Sequence, residues 1–121
     1  MLMLLRLFTT ILILLSGTTF AGEANVLKVD IRPLGDNRYS IDTTVYHADT
    51  GWEHYANSWE VLDLDGKPLG KRTLLHPHVN EQPFTRNAVL NIPVTIKRIM
   101  IRANDLVHGI GGKTVIATVP K

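Results

Sequence analysis

Histidine is the residue with which this chain is best equipped for chemistry. The sequence has five, which are His47, His54, His76, His78 and His108, and it has no cysteine. Imidazole binds transition metals and changes its charge near neutral pH. Since thiolate ligands and disulfides are both excluded, a metal centre in this chain would be built mainly on imidazole nitrogen.

The most suggestive spacing is His76-Pro77-His78. In an extended segment, residues i and i+2 project to the same side, so both imidazoles can face one ion. Pro77 fixes its own φ and favours extended geometry at His76, which reduces the entropy lost on binding. The pattern predicts two ligands of a metal site. The alternative is a rigid strand end with two exposed histidines.

His54 and His108 are the next candidates. His54 follows Trp52 and Glu53, and the Glu53 carboxylate could orient its ring; a solvated His54 beside a core-capping Trp52 is the alternative. His108 precedes a glycine-rich turn, in which the backbone can approach an ion closely. His47 ends a predicted strand and ranks last as a ligand.

The predicted metal ligands are therefore His76, His78, His108 and His54. Copper or zinc suits such ligands best, and iron is possible. Asp105 and Glu81 are candidate oxygen ligands, although Glu81 could instead pair with Arg86.

Short alternating segments recur about every 10–14 positions, a spacing typical of all-β sandwiches. We expect a seven-stranded antiparallel sandwich of the immunoglobulin or fibronectin-III type. The predicted strands span residues 26–33, 38–47, 54–62, 68–75, 84–92, 96–103 and 113–119. If every strand reverses direction, the second, fourth and sixth turns share one end of the molecule. All five histidines lie in or beside these three turns, so the sequence predicts a histidine-rich end.

Residues 1–21 have the features of a secretory signal peptide. Arg6 supplies positive charge, residues 7–15 are almost entirely apolar, and Thr19 and Ala21 are small residues before the expected cleavage site. The apolar run is shorter than the ~20 residues that span a bilayer, so we expect cleavage rather than an uncleaved anchor. Residues 22–121 are then predicted to form one periplasmic or secreted domain, off the membrane and without a cysteine to carry a lipid.

The distribution of charge excludes several classes of function. Of the 13 Lys and Arg residues one is Arg6, which leaves 12 basic against 11 acidic residues, scattered along the chain. No basic stripe for nucleic acid or polybasic patch for membranes is present. Ser40 and Ser58 lie within predicted strands and have no elbow motif, so no catalytic residue is assigned. Whether the chain is an enzyme stays open.

Three short stretches resemble the iron-binding β-sandwich of superoxide reductases. They are Glu53-His54-Tyr55 through Trp59-Glu60-Val61, the pair His76-Pro77, and Val107-His108-Gly109. The resemblance implies an immunoglobulin-like fold and a histidine-rich site. Those proteins hold iron with four histidines and a cysteine that lies three residues before a His-Gly pair. Here Asp105 takes that position and the motifs come in a different order, so superoxide reduction is not implied. The chain is also similar to many small exported bacterial proteins.

A second hypothesis requires no metal. The same loops would form a surface for a periplasmic protein partner or an extracellular ligand. The residues that would anchor such a partner are Trp52, Tyr55, Phe84, Arg86 and Ile110. Metal content after gentle purification distinguishes this interaction module from a metal-binding protein.

Overall fold

The computed structural model describes residues 22–121, and every regular element in that range is a β-strand. The strands are β1 (Asn25–Gly35), β2 (Arg38–Tyr46), β3 (Ala56–Leu62), β4 (Pro68–Thr73), β5 (Phe84–Asn91), β6 (Arg98–Asp105), β7 (Gly109–Ile110) and β8 (Val115–Thr118). The predicted signal peptide, residues 1–21, lies outside the described residues. From residue 22 onward, no helix is long and apolar enough to cross a membrane.

The strands form two antiparallel sheets. One sheet has the order β1-β2-β5, and the other has the order β4-β3-β6, with β7 and β8 both paired to β6. The two sheets share one core, to which the first contributes Val45 and Phe84 and the second Trp59, Ile99 and Ile101. The prediction of an all-β chain with antiparallel sheets is therefore confirmed.

The described residues contain eight strands rather than the seven predicted. The missed strand, β7, is two residues long and pairs with the end of β6, whereas β8 pairs with its start. Between them the chain leaves β6, and the carbonyl oxygen of Lys113 accepts a hydrogen bond from the backbone N–H of Val26 at 2.8 Å. β7 and β8 are thus two parts of one interrupted edge strand, which the alternation of apolar residues could not reveal.

The two ends of the sandwich differ in their connections. At one end the β1–β2 turn is tight, with positive φ at Gly35, Asp36 and Asn37. At the other end the β2–β3, β4–β5 and β6–β7 connections carry all five histidines. The strand register brings two of these connections together, because Ala56 at the start of β3 lies opposite Asp105 at the end of β6.

The packing of Gly112 against β1 makes it a sensitive point of the fold. A Cβ on Gly112 would lie 1.9 Å from the carbonyl oxygen of Ala24. Because this contact is with backbone, Gly112→Ala is expected to lower the free energy of unfolding by about 2 kcal/mol or more, measured by urea denaturation. Gly111→Ala is the matched control, because its Cβ would meet the Glu23 carboxylate, which can rotate away. Equal losses in both variants would contradict this account.

Candidate metal centre

Asp105 is a carboxylate that occupies a core position. The alternation of β6 buries Ile101 and Ala103 and then Asp105, which is 1% exposed. Its Oδ1 accepts hydrogen bonds from the backbone N–H groups of Val107 and His108, both at 2.7 Å. Burial would raise the pKa of Asp105, but these two donors, together with the nearby His47 and His108 rings, outweigh burial and lower it. Asp105 is therefore ionised at neutral pH.

Three imidazole rings surround this carboxylate. His54 Nε2 lies 3.2 Å from Asp105 Oδ1, His108 Nδ1 lies 3.3 Å from Oδ2, and His47 Nε2 lies 3.6 Å from Oδ2. Two ligand atoms of one tetrahedral ion with bonds of ~2.1 Å are separated by about 3.4 Å. The spacing from the carboxylate to each ring is compatible with ligands on a common ion, and also with ion pairs between Asp105 and protonated rings.

Three atoms of this cluster are buried without a hydrogen-bond partner. Among residues 22–121, they are His47 Nε2, His54 Nε2 and Asp105 Oδ2. Leaving such an atom unsatisfied costs about 1–3 kcal/mol, and more if it is charged. The donor atoms of His47, His54 and Asp105 lie within 4.8 Å of one another, and theirs is the one group of three or more such donors in this part of the chain. His108 is outside this group, and its Nδ1 approaches Asp105 Oδ2 at 3.3 Å.

A tight turn places His54 in the cluster. Gly51 and His54 form an isolated bridge, and the His54 N–H donates to the Gly51 carbonyl at 3.2 Å. Gly51 has a φ of 149°, which residues with a side chain rarely adopt. β3 consequently begins at Ala56 rather than at His54 as predicted, and the ring of His54 packs 4.8 Å from that of His47.

A second buried carboxylate, Asp49, contacts the far side of His47. Asp49 Oδ1 is bonded to His47 Nδ1 and also accepts the N–H of Ala56 at 3.0 Å. Asp49 Oδ2 accepts the N–H of His78 at 2.7 Å. Gln82 makes a second connection between the same two loops. Its side-chain oxygen accepts a hydrogen bond from the backbone N–H of His47, and its side-chain nitrogen donates to the carbonyl of His78. The β2–β3 and β4–β5 connections are therefore joined directly behind His47.

His76 and His78 form a separate pair. Their ring centroids are 4.5 Å apart, as their spacing predicts. The His78 ring is buried and stacks on Phe84, and its Nε2 accepts a hydrogen bond from Arg86 at 3.0 Å. His76 is exposed, and its Nδ1 donates to the carbonyl of Pro77. Neither ring is among the three that approach Asp105, so their role as metal ligands stays a prediction.

The remaining candidate residues lie around these two groups. Glu81 contacts Arg86 at 3.4 Å, which is the salt bridge considered as the alternative to metal binding. Glu53 is exposed. Trp52 is 66% exposed and packs edge-on against Tyr55, whereas Phe84 is only 2% exposed and cannot anchor a partner as the interaction hypothesis proposed.

His47 and Asp49 are the residues that sequence reasoning undervalued, and the strand pattern held a signal for the first. His47 lies one residue beyond β2, at the next buried position after Val45, and Asp105 follows Ala103 in the same way at the end of β6. A strand whose inward face continues into a histidine or an aspartate is a marker of a buried polar site. The alternation of Tyr39, Ile41, Thr43 and Val45 extends to His47, which is the signal for its burial.

Burial of His78 should make the metal-free protein sensitive to acid. Burial, followed by the positive charge of Arg86 and the neighbouring His76, lowers the pKa of His78 below 6.5. As the pH falls below 6.5 the unfolded chain takes up this proton before the folded chain does, so stability falls. We expect the free energy of unfolding to decline less between pH 7.5 and 5 in His78→Gln than in wild type, measured by urea denaturation. His76→Gln is the exposed control, and an unchanged slope in His78→Gln would refute the assignment.

Comparisons with known proteins give two matches. No protein-family model matches the chain. A protein of Halomicrobium mukohataei described as "Putative lipoprotein" is 37% identical over 94 residues, which are 78% of this chain and 46% of that protein. The chain thus spans about half the length of the curated relative it matches. Among solved structures, superoxide reductase (1Fe-SOR) from Giardia intestinalis matches with a TM-score of 0.45 and 17% identity, over 75% of this chain and 95% of that chain. This is the family that the histidine motifs resemble, and a likeness at this level does not extend to the chemistry of the site.

Proposed function

We propose that this chain binds one transition-metal ion through His47, His54, His108 and Asp105. The observation that carries the proposal is that three of the six buried side-chain atoms without a hydrogen-bond partner in residues 22–121 meet in this one cluster, namely His47 Nε2, His54 Nε2 and Asp105 Oδ2. A cation among them would satisfy two lone-pair nitrogens and one carboxylate oxygen together. Three imidazoles and a carboxylate suit zinc, copper or iron, with copper or zinc the better match.

The four ligands differ in their access to solvent. The side chains of His47 and Asp105 are fully buried, that of His54 is 15% exposed and that of His108 is 36% exposed. His108 therefore lies on the open side of the centre. We expect a metal ion, a water molecule or a small ligand to reach the centre from this side.

Export of the chain is part of this proposal. The leader-like residues 1–21 and the printed description of the Halomicrobium mukohataei relative both support it. We propose a periplasmic or secreted protein with an immunoglobulin- or fibronectin-III-like sandwich. The metal is then acquired outside the cytoplasm.

A second candidate function is favoured by exposed apolar residues near the same end. Trp52, Leu106, Val107 and Ile110 are each between 47% and 66% exposed. Such residues are suited to contact a protein partner. The double variant Trp52→Ser/Val107→Ser would weaken binding to such a partner and leave metal affinity unchanged. A variant that removes a proposed metal ligand, such as Asp105→Asn, would weaken metal binding and leave binding to the partner unchanged.

Removal of the central carboxylate should abolish high-affinity metal binding. Metal-free wild type is expected to bind one equivalent of Zn²⁺ in a calorimetric titration. Asp105→Asn keeps an oxygen that can accept the hydrogen bonds from the backbone N–H groups of Val107 and His108, but it removes the negative charge. The affinity for Zn²⁺ should therefore fall by more than the ~10–100-fold that is typical when a residue that only orients a metal ligand is replaced.

The matched control for this variant is Asp63→Asn. Asp63 also accepts two backbone N–H groups, those of Asp65 and Lys67, in a turn at the other end of the sandwich. Its replacement changes net charge equally and should leave Zn²⁺ binding intact. Stoichiometric binding by Asp105→Asn with the wild-type Kd would rule out the proposed site.

The contribution of His76 and His78 is tested by the double variant His76→Ala/His78→Ala. Because Arg86 occupies His78 Nε2, we expect the Zn²⁺ stoichiometry to remain one and the Kd to change less than in Asp105→Asn. Loss of binding equal to that of Asp105→Asn would instead place the pair among the ligands. Far-ultraviolet circular dichroism checks that the variant is folded.

A further inference from the structure

We propose that Asp49 is a positioning residue of this centre, which holds the proton of His47 on Nδ1 so that Nε2 offers its lone pair to the ion. The inference rests on the proposed metal site and adds the residue that prepares its most buried ligand. Asp49 and His47 are separated by one residue, and the side chains of both are fully buried.

The contacts of Asp49 determine which atom of His47 carries the proton. The two carboxylate oxygens already accept the N–H groups of Ala56 and His78. A carboxylate bonded in this way can only accept, so His47 Nδ1 has to be the donor in its bond to Oδ1. Nε2 of the neutral ring is then unprotonated, which is the form that binds metals.

This tautomer explains why the cluster contains unsatisfied atoms. When the His47 ring is neutral and its one proton is on Nδ1, Nε2 faces Asp105 Oδ2 at 3.6 Å, and both atoms are acceptors. Two acceptors cannot bond to each other, and in a buried setting their lone pairs repel. A cation between them removes the repulsion. Asp49, on the far side of His47, therefore leaves two facing lone pairs that a metal cation would satisfy.

Asp49 also supplies the second negative charge of the centre. Asp105 contacts the proposed ion directly, whereas Asp49 acts through the His47 ring. Together the two carboxylates balance a divalent cation in a region where a net charge is costly. Replacing Asp49 should therefore weaken metal binding by electrostatics as well as by loss of the tautomer.

The experiment is a long-range ¹H–¹⁵N correlation spectrum of the histidine rings in the metal-free wild type, with the His47 signals assigned by their absence in His47→Gln. We expect a protonated Nδ1 on His47. In Asp49→Asn the new amide can donate to Nδ1, so the proton should move to Nε2 in a measurable fraction of molecules. Zn²⁺ should then bind about 10–100-fold more weakly than to wild type, with Asp63→Asn as the unchanged control.

Two results would overturn the inference. One is an unprotonated Nδ1 on His47 in the wild type, which can be read even if Asp49→Asn does not fold. The other is a folded Asp49→Asn with the wild-type Zn²⁺ Kd. Failure of the wild type to bind any metal would instead refute the proposed function, and the ring spectrum, which needs no metal, distinguishes the two failures.

Discussion

The burial of the Asp105 carboxylate is the constraint on which the histidine end of this molecule depends. An ionised carboxylate inside a sandwich is unfavourable unless donors or cations surround it. Two backbone N–H groups bond to Oδ1, and three imidazoles approach the two oxygens. The connections that follow β2 and β6 take the paths that bring these groups to the carboxylate.

The position of the cluster follows from how the two sheets end. His47 continues the inward face of β2 in one sheet, and Asp105 continues that of β6 in the other. Below them Val45 and Ala103 belong to the apolar core. The cluster thus closes the gap between the sheets at one end, where Asp105 is the last residue of β6 and His47 directly follows β2. Such positions favour a preorganised binding site.

Much of the fold could be predicted from sequence, because alternation and turn residues are local signals. The interrupted edge formed by β7 and β8 could not, since it depends on Lys113 bonding to β1, far away in the chain. In the site, the spacing of His76 and His78 correctly indicated neighbouring rings. It could not reveal Arg86 and Phe84, which β5 brings against His78. Nor could it reveal Asp49, whose role depends on three contacts made only in the folded chain.

The strand pairing also decides where each terminus of the described chain emerges. Asn25 lies opposite Tyr46, the neighbour of His47, whereas Thr118 lies opposite Arg98 at the other end of β6. An affinity tag joined ahead of residue 22 would lie near the histidine cluster, and a polyhistidine tag there would compete with it for the proposed metal ion. A tag joined after Lys121 would be a full strand length away.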